Sequence, residues 1–175
     1  MNDDYSLITV HSQLLAENAK QEIRACNAFT EQFGLSLTED EIRELVECRA
    51  AALKNTGRVE FAGGILPKLI YAFCDSPYID QDNYENVLAQ LQEAFYCFKS
   101  ESMERFTDDE LIGYMENVFN GKAQGEVEYL IGISPEDLVQ YAQSESDALN
   151  TELNALEYER TDQTESRTGQ RPSFF

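Results

Sequence analysis

Apolar residues recur at helical intervals over most of the chain. Leu15, Ala19, Ile23, Cys26 and Phe33 fall on one face of a first helix. Ser12 is placed to cap that helix, and Gly34 to stop it near Phe33. The run Thr38-Glu39-Asp40-Glu41 then has the form of a capping box. In such a box the Thr hydroxyl accepts a hydrogen bond from the third helical amide and the Glu carboxylate reaches back to the cap amide. It predicts a second helix to about Lys54, burying Ile42, Leu45, Val46 and Leu53, and ended by Asn55-Thr56-Gly57.

The pattern changes at Arg58–Gly64, where Val59 and Phe61 alternate with polar residues and predict a short extended piece. Pro67 suits the first turn of a helix, where its missing N–H is not needed. Residues 65–74 are apolar nearly all round, which marks a central buried helix, and Asp75-Ser76-Pro77 breaks it. Asp80 or Asp82 is placed to cap a long fourth helix to about Ser102, with a stripe of Tyr84, Val87, Leu88, Leu91, Phe95 and Phe98. A second capping box, Thr107-Asp108-Asp109-Glu110, starts a helix carrying Leu111, Met115, Val118 and Phe119 and stopped by Gly121. A short segment from Glu126 to Ile131 follows. Ser134-Pro135-Glu136-Asp137 opens a last helix with Leu138, Tyr141, Ala142, Leu149, Leu153 and Leu156. Residues 160–175 are polar and aperiodic, and read as a flexible tail. The expected fold is all-α: six to seven helices in one compact domain over residues 1–159, with helices 65–74 and 81–102 at its centre.

The signals are written twice. Leu37-Thr38-Glu39-Asp40-Glu41-Ile42 matches Phe106-Thr107-Asp108-Asp109-Glu110-Leu111. Gly57, Val59, Glu60 and Phe61 match Gly125, Val127, Glu128 and Tyr129, and Gly64-Ile65-Leu66-Pro67 matches Gly132-Ile133-Ser134-Pro135, both at an offset of 68 (57 to 125, 64 to 132). Capping boxes recur in any helical protein, so the box pair alone decides nothing. The corner match holds its spacing over the eleven residues from Gly57 to Pro67, and raises a pseudo-twofold duplication of a helical unit, with repeats 12–79 and 80–147.

Charge narrows the function. The chain of 175 residues carries 13 Lys and Arg against 33 Asp and Glu, a net charge of −20. Phosphate backbones and anionic lipid surfaces repel such a chain, so neither nucleic acid nor membrane is an expected partner. Its longest apolar run, Leu69 to Cys74, is too short to span a bilayer, and residues 1–11 lack the pattern of a secretion signal. A cytoplasmic location is expected. Cys26, Cys48, Cys74 and Cys97 show no Cys-x-x-Cys spacing, and His11 is the single histidine. The cysteines read as buried free thiols, with no metal site and no cofactor.

Few residues are arranged for chemistry. Gly63 and Gly64 precede a helix start, whose free amides attract anions, and Arg58 and Lys68 add positive charge there. A Walker loop is absent, and a tight glycine corner for close helix packing explains the same residues. Glu60 and Glu128 hold equivalent places in the two corners, suited to a local ion pair with Arg58, to bonds from helix-start amides or, facing across a pseudo-twofold, to holding a cation or acid–base work. The oxygen-rich run Asp75–Glu85 does not fit an EF-hand, because Asp80 and Asn86 stand where Gly and Glu are needed. Tyr78 beside Pro77 is placed to cover the core. No catalytic set emerges, since a nucleophile–base pair would depend on His11.

The segments Gly57-Arg58-Val59-Glu60-Phe61-Ala62-Gly63-Gly64-Ile65 and Phe73-Cys74-Asp75-Ser76-Pro77-Tyr78-Ile79-Asp80 resemble an uncharacterised bacterial family, a domain of unknown function. The resemblance continues through Phe95–Lys99 and Asp108–Ile112 and covers about residues 5–145. Ala62 stands where a third glycine is expected. The resemblance implies a bacterial cytoplasmic protein and carries over no activity, cofactor or catalytic residue.

Three readings follow as expectations. The first is a non-catalytic interaction or adaptor protein, docking to a protein partner through a tail that ends in Phe174-Phe175. The second is a small-anion or metabolite binder, or an enzyme, built on Arg58, Glu60, Gly63, Gly64, Lys68 and Tyr78. Homodimerisation through the long fourth helix is a third.

Overall fold

A computed structural model describes residues 3–141, 143, 144 and 151, with side-chain surroundings from Ser12 onward. The described residues form helices and turns, with no strand among them. Helix α1 spans Asp3–Thr30, α2 Glu39–Thr56, α3 Leu66–Phe73, α4 Tyr84–Glu101, α5 Asp108–Asn120 and α6 Val127–Ile131. A 3-10 turn, Glu31–Phe33, continues α1, and the backbone is helical again over 135–141. The all-α expectation holds. Phe174, Phe175, Leu149, Leu153 and Leu156 lie outside the described residues, as does the His11 side chain.

Both capping boxes form. The Thr38 hydroxyl accepts from the Glu41 amide, and Glu41 accepts from the Thr38 amide. Thr107 and Glu110 repeat the arrangement. Gly34 and Gly57 close α1 and α2 with φ of 76° and 69°, a left-handed backbone that glycine adopts without strain.

Three local expectations need correction. The first helix begins at Asp3, well before Ser12, so Ser12 is not its cap. Residues 58–61 are irregular, with no neighbouring strand to pair with, and turn at Ala62–Ile65. The residue ahead of α4 is Asn83. Asp80 acts one step earlier, accepting from the Asp82 and Asn83 amides while Asn83 accepts from the Asp80 amide. The segment at Glu126–Ile131 is the short helix α6. The two corners therefore share a left-handed glycine, Gly57 and Gly125, but differ beyond it: Val59 is 77% exposed in a loop, whereas Val127 is buried in a helix.

Helices α3 and α4 lie at the centre, as their sequences predict. Helix α3 packs on α1, α4 and α5, burying Leu66, Leu69, Ile70 and Phe73 completely. Helix α4 packs on α2, α3, α5 and α6, so its apolar stripe is used inside the molecule. Helices α2 and α4 run in the same direction. Gln81 bonds to both main-chain groups of Ser36 just before their starts, Gln92 donates to the Leu45 carbonyl midway, and Thr56 and Ser100 line one small pocket near their ends. No described helix is long and apolar enough to cross a membrane.

Candidate functional site

The Arg58–Gly64 corner is held by a buried ionic network. Arg49, on the apolar face of α2, donates Nε to Glu60 at 3.1 Å and Nη1 to the Ala62 carbonyl at 2.7 Å. Glu60 also accepts from Arg58 Nε, from the Tyr96 hydroxyl at 2.9 Å and from the Ile65 amide at 3.3 Å. Arg58 extends to both carboxylate oxygens of Asp108 at 2.8 Å and to Glu104. Lys99, from α4, donates to the Phe106 carbonyl at 2.6 Å and pairs with Glu104 and Asp108 at 3.0 Å.

Three cations thus face three carboxylates, of which Glu104, 57% exposed, is the outermost. The Arg49, Glu60 and Lys99 side chains are only 5–6% exposed, so each depends on its partners to offset lost hydration. Burial works against ionised Asp108 and Glu104, but the bonds from Lys99 and Arg58 outweigh it and hold both carboxyls below their ordinary range. Burial, reinforced by Glu60, pushes the Tyr96 phenol well above its ordinary value.

This network occupies the groups that an external anion would use. The Gly63 amide already donates to Glu22 of α1 at 2.8 Å, the Gly64 amide to Phe61 O, and the Ile65 amide to Glu60. Arg58 is spent on three carboxylates. Lys68 turns to Asp109 at 2.6 Å in an exposed pair and does not meet Arg58 at a pocket. Tyr78 is elsewhere: its ring stands edge-on to Phe119, and Gly125 packs against it. Glu60 is therefore central, Arg58 joins it, and Gly63 and Gly64 supply the turn. Glu128, the counterpart of Glu60, is exposed on α6.

Beside the network runs an open groove of about 670 Å³ between α2 and α4. Small side chains make its walls: Cys48, Ala51 and Ala52 from one helix, Ala89 and Cys97 from the other. Gln92 reaches it from α4, 2% exposed, with Oε1 lacking a hydrogen-bond partner. Glu93 and Glu101 add negative charge, and no lining residue is basic. Thr56, Tyr96 and Ser100 continue from the groove into a pocket of about 50 Å³ walled by Arg58, Lys99 and Glu104. All four cysteines are free; Cys26 and Cys74 are buried as expected, whereas Cys48 and Cys97 are exposed in the groove.

A model for a family of unknown function, DUF6323, matches residues 22–148, most of the chain. The chain belongs to DUF6323. No curated protein and no solved structure matches it.

The matched span of this DUF6323 chain contains the whole network and the groove. Sequence reasoning singled out Arg58 and Glu60 but missed Arg49, Tyr96, Lys99, Glu104 and Asp108. One signal was available. Arg49 continues the register of Ile42, Leu45 and Val46, and Lys99 follows Phe95 by one turn, so each is a cation inside an apolar stripe. A cation there needs buried partners.

Proposed function

We propose that this chain is a non-catalytic interaction module, cytoplasmic and bacterial, whose partner docks on the face formed by the 58–61 corner and the 103–104 loop. One observation carries the reading: Val59 and Phe61 are each 77% exposed and Met103 is 80% exposed. Arg58 bonds to Glu104, so the residues next to these apolar side chains are tied together across the two loops. The ionic network fixes both loops, and Met103 and Glu104 both take left-handed backbone, with φ of 51° and 58°. Large apolar side chains presented on rigid loops lose little freedom on binding, which is how interface anchors act. Four free cysteines accord with a reducing compartment. The alternative, an anion or metabolite site at Arg58–Lys68, is disfavoured because the protein's own carboxylates hold those amides and cations.

The test compares wild type with V59S/F61S/M103S in cross-linking from the cytoplasm of the source organism. These positions face solvent, so stability should change by no more than about 0.5 kcal/mol. Wild type is expected to capture a protein that the triple variant does not. Identical captures by the two would refute this face as the docking surface.

A further inference from the structure

We propose that the α2–α4 groove receives a basic amphipathic helix of a partner protein. The inference rests on the reading of the chain as an interaction module, but it concerns a different surface. The groove runs along α4 from Ala89 to Glu101, twelve helical rises or about 18 Å, which matches about three turns of a docked helix. Its small-residue walls let a helix approach closely, with the partner's apolar stripe against Ala51, Ala52 and Ala89. Charge selects the occupant. Glu93 and Glu101 lie in the groove with no cation among the lining residues, on a molecule of net charge −20. Lys and Arg flanking an apolar stripe complement this surface, and like charge opposes a second copy. The same argument disfavours the chain's own segment 142–159, which carries Glu145, Asp147, Glu152, Glu157 and Glu159 and no basic residue. The unpartnered Gln92 Oε1 is an acceptor suited to a donor on the incoming helix.

The probe is an 18-residue Leu/Lys peptide with helical spacing, titrated by fluorescence anisotropy against the full chain at about 0.15 M salt, where surface attraction is screened beyond about 8 Å. A Leu/Glu peptide of the same pattern is the control. Saturable binding is expected for the basic peptide alone, weakened at least tenfold by Ala89→Trp, which fills the groove, and by E93K/E101K, which reverses its charge. Bound peptide should also slow the reaction of Cys48 and Cys97 with a thiol reagent. V59S/F61S/M103S should bind the peptide as wild type does. Equal binding by the groove variants, or unprotected thiols, would reduce the effect to general attraction and overturn the proposal. Loss in the triple variant alone would move the site to the 58–61 face. Thiols already shielded in the free chain would give the groove to one of its own segments, and shielding that grows with protein concentration would give it to a second copy. Either result overturns the inference and leaves the proposed docking face standing.

Discussion

At the scale of single residues, the Arg49–Glu60 pair is the most consequential contact. Both side chains are 6% exposed, and Glu60 joins α2, α4 and the start of α3 through Arg49, Tyr96 and the Ile65 amide. Removing Glu60 leaves Arg49 buried without a carboxylate, whereas removing Arg49 leaves Glu60 still paired with Arg58. Glu60→Ala is expected to cost about 3–5 kcal/mol in urea unfolding. Tyr84 gives the opposite case. It is 1% exposed, and its hydroxyl makes no hydrogen bond; the nearby Thr30 hydroxyl donates to the Leu35 carbonyl instead. Tyr84→Phe is therefore expected to be neutral or stabilising by up to about 1–3 kcal/mol. A clear fall in melting temperature would mean that Thr30 bonds the phenol after all. Asp108 sets a pH dependence. Its carboxyl titrates lower in the folded than in the unfolded chain, so its contribution is present above the unfolded value of about 3.9 and is lost as pH falls through the folded one. Asp108→Asn should flatten the loss of stability below about pH 4 in an acid titration followed by circular dichroism.

At the scale of elements, the two capping-box starts and the glycine stops were legible because they are local, whereas the starts of α1 and α4 were misplaced. Each capping box needs only four consecutive residues, and both formed. Thr38→Ala and Thr107→Ala are each expected to cost about 1 kcal/mol in thermal unfolding, since each box satisfies two amides that would otherwise lack partners. The second corner is more demanding. Gly125 has φ of 86°, and a Cβ there would collide with the Tyr78 ring. Gly125→Ala should lose at least the roughly 1–2 kcal/mol of left-handed strain, with more from the collision, measured by urea unfolding. Similarity between the corners did not extend to their conformation. The first turns to bring Glu60 inward, and the second runs directly into α6 with Val127 inward. Similar short patterns take different shapes when different neighbours receive their side chains.

At the scale of the whole molecule, the apolar stripes of α3 and α4 determined by themselves that these helices would be central. A helix with so much apolar surface must be covered on several sides, whatever the topology. The sequence also determined the helical class, the two capping boxes and the acidic surface, because each depends on neighbouring residues or on composition. Tertiary structure decided everything that joins distant residues. It aligned α2 and α4 in parallel, which opens the groove and places Cys48 and Cys97 along it. It also brought Arg49, Arg58, Lys99 and Asp108 to one corner, although they are spread over 60 positions from 49 to 108. Sequence periodicity shows which face of a helix turns inward. Which buried charge meets which is settled only when the helices pack, because each must find a partner at about 3 Å to offset the water it gives up.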